Sequence, residues 1–267
     1  ITVSDAGVDS VQINFNQNIA PGIIYHVTVS NVTDCANNAI VEVTKDFGIG
    51  KTPVYGDLLF TEIMPDPSPV IGLPEEEFIE IYNNSTSLIN LEGIKLADAT
   101  DTTTLAAFNL LPNNYLILSS TGNLSDFSPF GNSLGVASFP SLGNTIDSLY
   151  LFLSNNTLID KLFYTAGFYR DATKDDGGYS LERIYFAEQC VQSLNWTAST
   201  DAKGGTPGKQ NAVFNTKLDN TAPLVTNVNI EGTNAILIYF DEVIDSLSLK
   251  NGTYSFDNGL TIKGITV

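Results

Sequence analysis

The sequence predicts an all-β sandwich, and three observations carry that reading. Two β-type runs, Asp57–Met64 and Glu76–Tyr82, flank a turn-forming segment with prolines at 65, 67, 69 and 74. Bulky residues dominate both runs, and a polar residue interrupts each, Thr61-Glu62 in one and Glu80 in the other; that is the pattern of a half-buried strand pair. Similar runs recur through residues 56–213 at the spacing of a sandwich. No stretch of useful length has a helical period, and Ser246–Asn251 offers a turn or two at most.

Taken in order, residues 1–50 alternate. Val11, Ile13 and Phe15 face one way with Gln12 and Asn14 opposite, then Pro21-Gly22 turns into the strand Tyr25-His26-Val27-Thr28-Val29. A short Gly/Pro linker, Asp46–Gly56, leads into the strand pair described above. Tyr115–Leu118 and Leu149–Leu153 are continuous apolar runs, which places them centrally, and Leu158–Tyr164 follows the Asn155-Asn156 turn as a hairpin partner. Trp196 is expected to anchor the last strand. A second linker, Asn211–Asn220, precedes a long strand at Ile236-Leu237-Ile238-Tyr239-Phe240.

Several segments resemble one family in its own order. An acid before Met-x-x-Pro (Glu62, Met64), followed by Glu77-Phe78-Ile79-Glu80-Ile81-Tyr82-Asn83, resembles the opening of the lamin tail domain, an immunoglobulin-like sandwich. Leu91-Glu92-Gly93-Ile94-Lys95-Leu96-Ala97-Asp98 and Leu111-Pro112-Asn113-Asn114-Tyr115-Leu116-Ile117-Leu118 are similar to its next two steps. Leu142-Gly143-Asn144, Gly178–Ile184, Asn195-Trp196 and Gly204-Gly205-Thr206-Pro207-Gly208 resemble the later strands and the closing signature of bacterial members. The similarity spans residues 56–213. It implies a module of secreted or surface proteins, found beside hydrolases, with no catalysis of its own.

The flanks resemble a different immunoglobulin-like repeat of bacterial surface proteins. Residues 1–50 are similar to its C-terminal half, and residues 219–267, opening at Asp219-Asn220-Thr221-Ala222-Pro223, to its N-terminal half. A half-sandwich of about 45 residues is marginal alone and exposes apolar edges. The expectation is a second immunoglobulin-like sandwich made from the two terminal segments, within one chain or by strand exchange between copies. The sequence also reads as an excerpt, since Ile1 is not a natural start.

Composition narrows the function. Twelve Lys plus Arg stand against 30 Asp plus Glu, a net charge of −18, in a chain of 267 residues. A phosphate-binding surface must be basic, so nucleic acid and anionic membrane are poor partners, and no run is long enough to insert into a bilayer. The only histidine, His26, lies mid-strand on the face opposite Tyr25 and Val27, and no G-x-S-x-G elbow occurs, which argues against a His-based hydrolase. Without a C-x-x-C pair, zinc has little support. A bridge between Cys35 and Cys190, allowed in an exported protein, would tie the N-terminal segment to the far end of the middle domain; two buried free thiols are the alternative.

Acids and aromatics are what remains. Glu62, Glu80 and Asp98 could supply a carboxylate pair by position alone, if two of them met in a cleft. Calcium takes six to eight oxygens from loop carboxylates and carbonyls, and Asp66, Glu77, Asp98, Asp101, Asp175 and Asp176 sit in acidic loops, although none matches an EF-hand pattern and Asp175-Asp176-Gly177-Gly178 suits a turn equally well. Trp196, Tyr164, Phe168, Tyr169 and Tyr179 would bind sugars if exposed in a row, and serve packing otherwise. N-x-[ST] triplets at Asn31, Asn83, Asn84, Asn123, Asn155, Asn195 and Asn251 follow from an Asn/Ser/Thr-rich composition. The expected role is a non-catalytic structural module, extracellular or at the cell surface, that spaces or anchors other domains of its polypeptide or contacts surface proteins or glycans. A calcium- or carbohydrate-binding adhesion module is the alternative.

Overall fold

The computed structural model describes residues 2–5, 10–186, 194–216, 222–241, 244 and 246–266. Two sheets enclose the main core. The larger runs in the order Ser133–Val136, Tyr115–Ser120, Phe78–Asn83, Leu58–Met64, Leu181–Arg183, Trp196–Ala198. Its pairs are antiparallel except the first two strands, which run parallel. The smaller sheet is Leu158–Thr165, Ile146–Phe152, Lys95–Ala97, Thr102–Thr104, antiparallel throughout. Leu58, Phe60, Ile79, Ile81, Leu116 and Leu118 from the first sheet share one buried cluster with Leu96, Leu149, Leu151, Ile159 and Leu162 from the second. That is the immunoglobulin-like arrangement of two facing layers.

Local chemistry accounts for the connections. Asn156 adopts φ 67° in the hairpin between Ile146–Phe152 and Leu158–Thr165, and the Leu153 amide donates to the Thr157 carbonyl at 2.8 Å; asparagine tolerates this left-handed turn. Trp196 lies fully inside the core, as expected of an anchor for the last strand. The parallel pair needs a crossover, supplied by residues 121–130, which include the short helix Leu124–Phe127. Phe127 from that helix packs with Met64, Leu73, Phe78 and Ile117 on the outer face of the larger sheet, its ring 5.3 Å from that of Phe78.

This second small core corrects one expectation. Leu58–Met64 is buried at every position, and Phe78–Asn83 at all but Tyr82, so the central strand pair is covered on both faces rather than half-buried. The crossover covers one end of the outer face, and residues 204–213 close over its middle.

The flanks are ribbons. Thr2–Asp5 pairs with Val11–Asn14, Tyr25–Val29 with Val43–Phe47, and Val225–Glu231 with Ala235–Phe240, each as a separate two-stranded sheet. A helix covers Ser246–Asn251, close to the turn or two expected. The N-terminal segment is joined to the sandwich by the Leu88 amide, which donates to the Gly22 carbonyl at 3.2 Å. Among the described residues no ladder joins 1–50 to 219–267. Among the described residues the two terminal segments form separate ribbons and no shared sheet.

Candidate functional site

The centre of the larger sheet carries a row of three glutamates. Glu62 on Leu58–Met64 stands directly opposite Glu80 on Phe78–Asn83 and directly opposite Glu182 on Leu181–Arg183. Facing residues on adjacent strands have Cβ atoms about 5 Å apart, where like charges repel. All three are completely buried. Such a row survives only if its oxygens accept hydrogen bonds and its net charge is reduced.

Both conditions are met by the segment that follows the last strand. The Thr206 amide donates to Glu62 Oε1 at 2.8 Å, and the Ser180 hydroxyl donates to the same oxygen at 2.5 Å. The Thr206 hydroxyl donates to Glu182 Oε1 at 2.8 Å, and the Val213 amide to Glu182 Oε2 at 3.1 Å. Glu80 accepts from the Thr61 hydroxyl at 2.8 Å and from the Gly208 amide at 2.6 Å. Asn211 continues the seam by donating to the Thr61 and Arg183 carbonyls. Residues 206–213 are thus laced to carboxyl groups instead of to a strand edge. Burial, reinforced by the neighbouring Glu182 carboxylate, pushes the Glu62 acid up to about 8, and burial together with Glu62 raises Glu80 well above the usual carboxylate range.

Glycine makes the close approach work. A Cβ on Gly205 would lie 2.5 Å from Glu62 Oε1 and 2.8 Å from both Leu73 Cδ1 and Ser180 Oγ. Gly208 has φ 81°, and a Cβ there would meet the Phe130 carbonyl at 2.1 Å. Both positions exclude a side chain.

Across the core, Asp160 on the smaller sheet accepts from the Phe60 amide at 2.8 Å and lies 3.5 Å from the Arg183 guanidinium. Burial pushes this acid up to about 6 against the pull of Arg183. Removing one partner of a buried pair leaves the other charge uncompensated. Asp160→Asn is therefore expected to lower stability by about 3 kcal/mol, read as a fall in the urea midpoint at constant slope; an unshifted midpoint would show that the pair contributes nothing.

The acids singled out for cation binding fall in several turns. Asp98 accepts from the Thr100 and Asp101 amides, both at 2.6 Å, and these bonds hold its pKa below the usual value despite partial burial. Asp101 accepts from the Thr100 hydroxyl in the same turn. Asp175 and Asp176 are exposed. Asp66 takes a hydrogen bond from Asn144 at 2.7 Å, and Glu77 one from the Leu142 amide at 3.2 Å. Burial and the nearby Asp147, Asp66 and Glu76 raise Glu77, and Glu77, Asp98 and Asp147 all act on the buried Tyr164 hydroxyl, which has no hydrogen-bond partner among the described residues. Among the described residues, no group of three acids is placed to hold a metal ion.

Of the carboxylates proposed from position, Glu62 and Glu80 do meet, joined by Glu182 rather than Asp98, but all three are fully buried. Trp196, Tyr164, Phe168 and Tyr169 are buried in the main core, and Tyr179 is half-buried under Lys174. The aromatics on the outer face, Tyr82, Tyr115, Phe186 and Phe214, pack on one another at 43–68° between ring planes. Tilted rings of this kind make a small cluster, not a flat sugar platform. Asn83 and Asn195 are buried, so two of the N-x-[ST] triplets are closed to modification in the folded chain. His26 is exposed on its strand and bonds Asp46 at 2.6 Å. Cys35 is exposed; Cys190, its suggested partner, lies outside the described residues.

Glu182, Thr206, Gly208 and Asn211 had no role assigned from sequence. The available signal was one acid inside each of three apolar strand runs, LLFTEIM, FIEIY and SLERI. Residues 51–166 match the model of a protein family described as Lamin Tail Domain. No curated protein and no solved structure matches the chain.

Proposed function

We infer that this chain, which carries a lamin tail domain at residues 51–166, is a non-catalytic module that spaces or anchors neighbouring domains of a secreted or cell-surface protein. The observation that carries the reading is the glutamate row. The acids best placed by register for acid–base work are sealed from solvent and held by the amides of the closing segment. A catalytic pair must reach substrate, whereas an acid that fastens the last segment to the sheet serves mechanical integrity. The acidic, Asn/Thr-rich surface fits an exported protein that avoids nucleic acid.

A thermal melt in millimolar calcium, against the same protein in chelator, separates this reading from a calcium-binding adhesion module. Coincident curves are expected of the spacer. A ligand that binds only the folded state adds about 2.7 kcal/mol at a hundredfold excess over its dissociation constant. A rise of that size would overturn the spacer reading and point to the end of the sandwich where Glu77, Asp98 and Asp147 lie near Tyr164.

A further inference from the structure

The two flanking ribbons are built alike. In the C-terminal ribbon, Val228 faces Ile238 and Ile230 faces Ile236 on one side, while Asn227, Asn229 and Glu231 share the other with Tyr239, Leu237 and Ala235. In the N-terminal ribbon, Tyr25 faces Phe47 and Val29 faces Val43, with Val27 between them opposite Lys45. Its other face holds His26 bonded to Asp46 and Thr28 bonded to Thr44. Phe15 and Tyr25 both stack on Phe47, at 6.1 and 5.6 Å, which widens the apolar face.

Both apolar faces are open in part: Tyr25, Val27, Val29, Phe47 and Ile238 are half-buried, whereas Phe15, Val43, Val228, Ile230 and Ile236 are exposed, Ile230 to 82%. A lone two-stranded ribbon is at best marginal in water, and an amphipathic one gains most by packing face to face with another sheet.

We propose that the apolar face of the C-terminal ribbon of one copy docks on the apolar face of the N-terminal ribbon of a second copy, joining the chains head to tail. Charge selects this pairing. N-terminal faces docked on each other would bury Lys45 against Lys45, a like-charge contact in a low-dielectric layer. C-terminal faces docked on each other would leave both N-terminal faces in water. The mixed pairing covers both with a single lysine, whose stem lies along apolar surface while its ammonium reaches the rim. Each copy keeps one free face of each kind, so the contact is heterologous and propagates as a linear array. The proposal rests on the structural-module reading and names its partner.

Two single variants test it. Val27→Glu blocks the N-terminal face and Ile230→Glu the C-terminal face, and neither touches the sandwich, whose integrity is followed by Trp196 fluorescence. Sedimentation of the unaltered chain is expected to show mass growing with concentration above the single-chain 28.8 kDa. Each variant alone is expected to stay at the single-chain mass, and an equimolar mixture to double it, since one intact face of each kind remains. A mixture that stays at the single-chain mass overturns the proposal, as does an unaltered chain that never exceeds it. Self-association of Val27→Glu alone would establish C-terminal on C-terminal docking instead. A spacer that works only through its covalent connections would survive all three of these results.

Discussion

Raising the pH from 6 to 9 is expected to lower the melting temperature by about 10 °C, with most of the fall traced to Glu62. The ordinary glutamate value is 4.5, and the folded value is about 8. Between the two, the folded state holds a proton that the unfolded chain has released. The stabilisation is complete below the unfolded value and is lost as pH rises through the folded one, the reverse of the usual surface carboxylate. A shift of this size corresponds to about 5 kcal/mol in full, of which about 3 kcal/mol is present at pH 6 and lost by pH 9. The groups that face Glu62 are Glu80 and Glu182 from the adjoining strands, the Ser180 and Thr206 hydroxyls and the Thr206 amide, and none of them is cationic. Ionisation therefore has nothing there to neutralise it.

Glu62→Gln separates charge from shape. The glutamine oxygen can still accept from Thr206 and Ser180, so the variant should melt close to the unaltered protein at pH 6. Between pH 6 and 9 it should lose at least half of the fall, with the remainder due to Glu80. If both proteins declined in parallel, Glu62 would be ionised throughout and the account of the row would be wrong.

Gly205→Ala should be the most damaging single methyl group in the closing segment. The added carbon would sit 2.5 Å from Glu62 Oε1, against a buried sheet that cannot recede. The segment must lift instead, which loosens the Thr206 and Gly208 amides from their carboxyl partners. Overpacking together with weakened buried hydrogen bonds should cost about 3 kcal/mol or more. Gly122→Ala is the control: nothing lies within 4 Å of its Cβ position, and its effect should stay within about 0.5 kcal/mol. Equal chemical-denaturation midpoints for the two variants would mean that residues 204–208 do not press on the sheet.

Alternation and turn chemistry settle the strands themselves, because both are local. Ile146–Phe152 and Leu158–Thr165 meet across Asn155-Asn156 because only a residue at ease with positive φ turns so tightly. The order of segments resembling the lamin tail domain led to the same sandwich. The alternation of the N-terminal strands was equally legible, since a period of two needs no tertiary information.

Burial was not legible, because it depends on what a distant segment does. Glu62 and Glu80 read as the polar face of a half-buried pair until the crossover helix and residues 204–213 covered that face; the closing bonds span 128 to 144 residues of sequence. The same limit applied to Trp196, Tyr164 and Tyr169, whose rings could have been a surface row and are core. It applied also to the acidic loops, which the sequence groups by composition: Asp98 is satisfied within its own turn, whereas Asp66 and Glu77 bond to the remote Asn144 and Leu142. The sequence by itself determined the all-β class, the central strand pairs and the alternating N-terminal strands, because backbone dihedrals and side-chain alternation are properties of neighbours. Only the tertiary structure decided that three glutamates form one sealed row in which the pKa values of Glu62 and Glu80 are raised, because desolvation and register across strands arise when remote parts of the chain close over them.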